Sequence, residues 1–353
     1  GHLVAPLPLL WLGCSGAAWL LSVSIGLGVQ RLPTPVAASL LCVHHASRAP
    51  KGLAVFTISS ALHSTAAAAA ATVGMGSEQP RVAKDTAYAE AVRKAWAEDP
   101  QVRQGSLRDT RPCEYEHEGT RLYGRVVKPA EPNGAGVVVF HTAAGPHDVF
   151  LHWKAEALAS LGYTVLVADV FGDSAGQSWD PEWSVAARKP LTADRPLLAR
   201  RARASVATLA RVDGVEEGRI GAIGYCFGGR AVLDLARLGS GAGVAAVASF
   251  HGILDDGDGA EVKDLSDPAA PRVLICHGDA DPFVSAAGRS GLESQLRERG
   301  ARWDMLVFGG VRHGFTNPAQ ALNDNPSFGF DARATELSWV AMIDLFAKEL
   351  AAA

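Results

Sequence analysis

The chain has 353 residues, 48% hydrophobic and 20% charged, with 33 Lys and Arg against 37 Asp and Glu for a net charge of −4. Such a length exceeds one minimal core and falls short of two full-sized ones, and the composition is that of a folded protein rather than a disordered or fibrous one. The weakly acidic balance offers no basic field for nucleic acid. The five cysteines, at 14, 42, 113, 226 and 276, are odd in number and without CxxC spacing, which argues against a disulfide framework or a structural metal.

Residues 1–77 contain no Asp or Glu and only three basic residues, Arg31, Arg48 and Lys51. Residues 3–30 are uncharged, long enough to span a bilayer or to form the apolar part of a secretory signal. Residues 31–77 are rich in Ala, Ser and Thr, as transit peptides are. The expectation is an apolar leader that directs the chain to a plastid-like organelle, or a membrane anchor; residues 3–30 are the one segment that suggests a membrane partner. Composition changes at Glu78. Residues 78–111 are charged, and Ala87, Ala91, Val92, Ala95 and Trp96 predict one helix that stops near Pro100. This stretch reads as a connector or as an addition on the lid side of a site.

Over residues 112–353, short apolar runs alternate with amphipathic stretches. "TRLYGRVVKP" alternates and predicts an early antiparallel strand pair. Continuous apolar runs at 136–141, 163–169, 219–226, 244–251, 272–277 and 302–309 predict parallel strands buried on both faces. Helical patterns fall near 148–162, 194–212, 229–238, 286–299 and 333–352. The alternation predicts an α/β fold: a doubly wound, mostly parallel sheet flanked by helices. In such sheets the working residues gather at the carboxyl ends of the strands. Four of those ends carry "HTAAGPHD", "GYCFGGR", "HGDADPF" and "GGVRHGF".

"IGAIGYCFGGR" has the form of a nucleophile elbow with Cys in the place of Ser. Gly224 and Gly228 leave room for a tight strand-to-helix turn. The helix that follows aims its positive end at the sulfur of Cys226. The backbone N–H of Phe227 is placed to bind an oxyanion, with a second donor expected from the loop after the 136–141 strand, at Thr142 or Ala143. The nucleophile–acid–histidine order of this arrangement continues with Asp281 and His313, each past a different strand. Asp279 competes with Asp281, and His251 and His277 compete with His313, but only His313 follows the last strand. His141 and His147 flank the oxyanion loop, as pocket lining or as packed core. Cys276 lies inside a strand run and reads as core. Trp153, Trp179 and Trp183 either line an acyl pocket or pack their segments down.

Together, "VVVFHTAAGPHD", "GYTVLVADVFGD", "IGAIGYCFGGR", "HGDADPFV" and "VRHGFTNP" resemble the dienelactone hydrolase family, small α/β-hydrolases with a Cys-His-Asp triad. The resemblance runs from about residue 112 to the C-terminus. It implies Cys226 as nucleophile, Asp281 as acid, His313 as base, and no metal or organic cofactor. Two positions depart from the lactonase pattern. Thr142 stands where the family has a Glu that controls the resting cysteine, and Asn317 stands where it has an Arg that grips the substrate carboxylate. Arg195 is a candidate to supply that positive charge, and His141, Arg195, His251 and Asn317 are the candidates for contacting substrate. The expected activity is hydrolysis of a small-molecule carboxylic ester or lactone through a thioester. The alternative is an α/β-hydrolase fold that binds a small molecule without turning it over.

Overall fold

Among the described residues there are eight strands and seven α-helices, most of them at the positions the hydrophobic patterning predicts. In the computed structural model residues 81–174 and 180–352 are described, all within one compact unit, residues 74–353. The leader over residues 1–77 and Trp179 lie outside the described residues. Among the described residues no helix is long and apolar enough to cross a membrane.

The strands are β1 (Leu107–His117), β2 (Thr120–Pro129), β3 (Gly136–Phe140), β4 (Thr164–Ala168), β5 (Ile220–Tyr225), β6 (Ala246–Phe250), β7 (Arg272–Gly278) and β8 (Trp303–Phe308). They form one sheet in the order β1-β2-β4-β3-β5-β6-β7-β8. From β4 to β8 every pairing is parallel, while β2 runs antiparallel to both β1 and β4. β3, β4, β5 and β6 are buried along their whole length, the burial that continuous apolar runs predict. Successive β3 residues serve opposite faces: Val137 and Val139 pack on one side, Val138 and Phe140 on the other.

One expectation is corrected. "TRLYGRVVKP" is a single strand, β2, and its antiparallel partner is β1. β1 begins at Leu107, inside the stretch read as connector. It is an edge strand with alternating exposed polar residues, so it carries no apolar run to announce it. The two join through Glu118 and Gly119, whose φ values of 49° and 76° form the two-residue turn that suits a twisted hairpin.

Helices α1 (Arg81–Glu98), α2 (Val149–Ala159) and α7 (Ala332–Glu349) cover one face; α4 (Arg195–Leu209), α5 (Phe227–Ala236) and α6 (Ala286–Glu298) cover the other. α3 (Pro181–Ala193) is an addition to the expected set. Its sequence starts with the Asp180 cap and Pro181, and Pro190 interrupts it, which hides its helical character. Asp194 ends α3 and caps α4, accepting from Leu197 N–H at 2.9 Å.

Arg195, the first residue of α4, joins α4 to α5. Its Nε donates to Asp234 Oδ2 at 2.6 Å and its Nη1 to Asp255 Oδ2 at 3.1 Å. Arg237 Nη1 adds a 2.7 Å bond to Asp234, and Arg230 Nη2 a 2.7 Å bond to Asp255. Asp234 is fully buried, so removing it takes a buried carboxylate partner from both Arg195 and Arg237. Asp234→Ala is expected to cost about 3–5 kcal/mol, the usual penalty for breaking a buried charge pair, read as a lower urea midpoint with an unchanged slope.

Candidate active site

β5 ends at the centre of the sheet, and the chain must turn there directly into α5. Cys226 makes that turn with φ 56° and ψ −112°, a conformation that a side chain adopts only under strain. Its N–H still donates to Phe250 O at 3.0 Å, so the turn remains fastened to β6. The flanking glycines are there because of close approach. A Cβ on Gly224 would run into the Gly228 carbonyl, one on Gly228 into the carbonyls of Phe140 and His141, and one on Gly229 into Gly252 and Ser249.

Asp281 and His313 arrive from the loops after β7 and β8. His313 Nδ1 donates to Asp281 Oδ2 at 2.6 Å, and both side chains are buried. The other oxygen, Asp281 Oδ1, accepts from Phe283 N–H at 2.9 Å. With Nδ1 committed to Asp281, Nε2 is left for Cys226, and the thiol is hydrogen-bonded to His313 and to the backbone N–H groups of Ala143 and Phe227. Phe283, Phe328 and His251 stand edge-on around the imidazole at 4.9, 5.3 and 5.3 Å between ring centres. Burial alone would push the Cys226 thiol up; the charge and hydrogen bond of His313, with the two N–H donors, outweigh it and hold the thiol below its ordinary range. Burial likewise works against a charged His313, but Cys226 and Asp281 raise it well above the usual imidazole value. The pair favours thiolate and imidazolium.

Of the two acids considered for His313, Asp279 is exposed and lies 3.8 Å from Arg289. Of the two oxyanion donors considered, it is Ala143 whose N–H reaches the sulfur. Thr142 shapes the loop instead: its Oγ1 accepts from Ala144 N–H at 3.0 Å and its carbonyl from Gly145 N–H at 3.2 Å. Ser184 Oγ on α3 donates to Ala143 O at 2.6 Å. Trp183 packs against Gly145, φ 89°, so closely that a Cβ there would collide with the indole. Trp183 and α3 thus hold the loop down from behind.

Two candidates for contacting substrate are corrected. Arg195 is consumed by Asp234 and Asp255 between α4 and α5 and does not line the cavity at Cys226. His141 is fully buried beneath the loop, where Nδ1 donates to Thr142 O at 2.7 Å and Nε2 accepts from Val170 N–H at 3.2 Å; burial keeps it neutral. His147 is also structural, with Nε2 at 2.8 Å from Ser174 O. Trp153 turns away and donates to Asp99 Oδ2 at 2.8 Å. Cys276 is buried in β7, and burial pushes its thiol up. His277 is buried and falls outside the cavity lining.

His251 and Asn317 do line the cavity, which has a volume of about 440 Å³ and opens over Cys226 and His313. That is room for a small organic molecule. His251 Nε2 is 2.8 Å from Thr316 Oγ1, and burial, followed by the neighbouring His313 charge, holds it well below its ordinary pKa. It is a neutral wall beside the base. The residue that sequence reasoning missed is Tyr88 of α1, which lines the same cavity. A signal was present: Tyr88 shares the i, i+3, i+4 stripe with Ala91 and Val92 and so falls on the inward face of that helix.

Comparison with known proteins shows the family and the fold. The sequence model of the Dienelactone hydrolase family matches residues 122–350. The chain is similar to the crystal structure of P91, a dienelactone hydrolase-like promiscuous phosphotriesterase from metagenomic libraries. That match has 32% identity, covers 69% of this chain and 99% of that one, and has a TM-score of 0.62. A structure described as m3DLH is 32% identical over 70% of this chain and 100% of its own, with a TM-score of 0.63. An uncharacterised Caenorhabditis elegans protein, K02A2.1, is 34% identical over 160 residues, 45% of this chain and 98% of its own. A Pyrobaculum calidifontis esterase, 17% identical with a TM-score of 0.50 over 78% of this chain and 97% of its own, shares the fold.

Iodoacetamide should alkylate Cys226 with a pH midpoint below the ordinary thiol range, and His313→Ala should move that midpoint upward, because burial is then opposed only by the N–H donors. At pH 7 the alkylation rate of the variant should fall about tenfold or more, one pKa unit being a factor of ten in thiolate. Peptide mass spectrometry at Cys226 from pH 5 to 10 measures both; equal profiles for the two proteins would refute the ion pair.

Proposed function

The chain belongs to the dienelactone hydrolase family and is a carboxylic ester hydrolase of the α/β-hydrolase fold, and on that premise we propose that it cleaves small esters or lactones through Cys226, His313 and Asp281. The observation that carries this reading is the connected line from Asp281 through His313 to a thiol already hydrogen-bonded to the Ala143 and Phe227 N–H groups.

The Cys226 thiolate attacks the acyl carbon. The carbonyl oxygen, becoming an oxyanion, takes over the Ala143 and Phe227 N–H groups, which are fixed by Ser184 and by the start of α5 and need no rearrangement. As the tetrahedral adduct collapses, His313 gives its proton to the departing alkoxide and a thioester remains on Cys226. The now neutral imidazole takes a proton from water, hydroxide adds to the thioester, and the acid leaves as the thiolate returns. Asp281 keeps Nδ1 protonated and steadies the imidazolium in both halves. Esters and lactones suit this nucleophile better than amides, because an alkoxide competes with thiolate as a leaving group more readily than an unprotonated amine does.

In this reading the hydrolase unit begins with α1 and not at residue 112, since Tyr88 forms part of the cavity wall. The relative P91 is described as a phosphotriesterase, so a neutral aryl phosphotriester belongs in the substrate panel beside carboxylic esters.

With p-nitrophenyl esters and small lactones, the wild-type protein should turn over, and Cys226→Ala and His313→Ala should each lose about 10³-fold or more in kcat. Asp281→Asn should lose about 10²–10⁴-fold, because the imidazole tautomer is no longer fixed. Activity retained in Cys226→Ala would overturn the assignment of the nucleophile.

A further inference from the structure

A second cavity, of about 520 Å³, is bounded by α1, α2 and α7, and no member of the triad lines it. Its apolar wall includes Trp153, Leu161, Pro318, Trp339, Val340 and Ile343. Phe330 and Val340, which also line it, are exposed, so it opens to solvent. Asn317 and Ala319, on either side of Pro318, line the cavity over Cys226 instead, so one turn of chain separates the two spaces. In the second cavity stands Lys154 of α2, which is 5% exposed. Its ammonium rests against aromatic faces: Nζ is 3.4 Å from the centre of the Trp153 ring, 5.4 Å from that of Trp339 and 5.6 Å from that of Phe150. Burial pushes the amine down to about 8, and the charge of Asp99 pulls the other way. A lysine desolvated in an apolar pocket keeps free amine near neutral pH, and free amine is the nucleophile. The remaining polar lining is Asp99, Gln101, Thr335 and Glu336. Asp99 Oδ2 accepts from the Trp153 indole and its Oδ1 from Gln101 N–H. The carboxylates of Asp99 and Glu336 oppose an anionic ligand, while the aromatic walls suit a neutral one.

We propose that this cavity is a second ligand site, in which Lys154 captures small, neutral, apolar aldehydes as an iminium. The free amine adds to the carbonyl carbon, and the carbinolamine loses water to leave a C=N bond. Ammonium and aldehyde thus become iminium and water with no net change of charge, and the cation stays over the Trp153 face. The volume has room for an aryl or short alkyl group. The site stands apart from Cys226 and from the hydrolase reading.

The test is reductive trapping. The full-length protein is held at pH 7 with benzaldehyde and sodium cyanoborohydride, whose hydride adds to the iminium carbon and leaves a stable N-benzyl amine. Peptide mass spectrometry compares the initial rate at Lys154 with that at the exposed Lys189. Lys154 should react about tenfold faster or more. An amine titrating near 8 holds about a hundred times more free base at pH 7 than an ordinary lysine, and its weaker basicity gives part of that back. Glyoxylate, an aldehyde that carries a carboxylate, should lower the Lys154 to Lys189 ratio by about fivefold or more, and taking the ratio cancels its own reactivity. In urea beyond the unfolding midpoint the two lysines should react alike. A benzaldehyde ratio below tenfold, a glyoxylate ratio within fivefold of it, or a preference that survives urea would each overturn this inference. None of these outcomes bears on the triad.

Discussion

Everything around the site is arranged about the backbone of Cys226, held at φ 56° between a buried strand and a buried helix. A non-glycine residue in that conformation costs on the order of 1–3 kcal/mol and persists only where its surroundings over-determine it. Here they do. The Cys226 N–H is tied to Phe250 of β6, three glycines let β5, α5 and the β3 loop approach to contact distance, and Arg195 fastens α5 to α4 through Asp234. The strain is useful because it lifts the sulfur off the sheet while the first N–H of α5 stays beside it. A relaxed turn would bury the thiol as an ordinary core group, as Cys276 is in β7.

The electrostatics follow from that placement. The sulfur's partial burial would, by itself, keep it protonated. One buried imidazole, oriented by one buried carboxylate, reverses the balance. The other histidines nearby are kept from competing. His141 and His251 are neutral because burial disfavours their charged forms, in His141 outweighing the opposing pull of the Asp169 carboxylate 3.9 Å from Nε2. Among the described residues His313 is the cation facing Cys226, with Phe283, Phe328 and His251 edge-on around its imidazole.

α1 is bound into this arrangement through α2. Tyr88 donates to Asp148, which also caps α2 by accepting from Phe150 N–H at 3.0 Å, and Asp99, just past the end of α1, holds the indole of Trp153. Burial pushes Asp148 up to about 6, so its carboxyl is costly to ionise there and gains from each donor it keeps. The helix that encloses the substrate cavity is thus joined to the element that follows the oxyanion loop.

The chain's local patterns determined a good deal by themselves. The continuous apolar runs place six parallel strands: burial on both faces leaves β3 to β6 no polar alternation, whereas β8, expected to be buried on both faces, is an edge strand and only partly buried. "GYCFGG" places the strand-to-helix turn at Cys226, because the chain approaches itself too closely there for a Cβ at Gly224 or Gly228. The order of Asp281 and His313 follows from the same fold. What only the tertiary structure decided are matters of which side chains meet across distant segments. β1 declares itself through pairing rather than hydrophobicity, since it lies at an exposed edge. α3 forms despite Pro190 because Ser184 and Trp183 pack on the oxyanion loop. Arg195 sits in a stretch where it was free to be read as a substrate cation, and it was taken up by Asp234, 39 residues later. Tyr88 and Asn317 are 229 residues apart, and nothing in either local sequence states that one engages the other. Periodicity and turn chemistry act over a few residues and are legible in the chain; hydrogen-bond partners and counter-ions are chosen by packing, which only the folded sheet brings about.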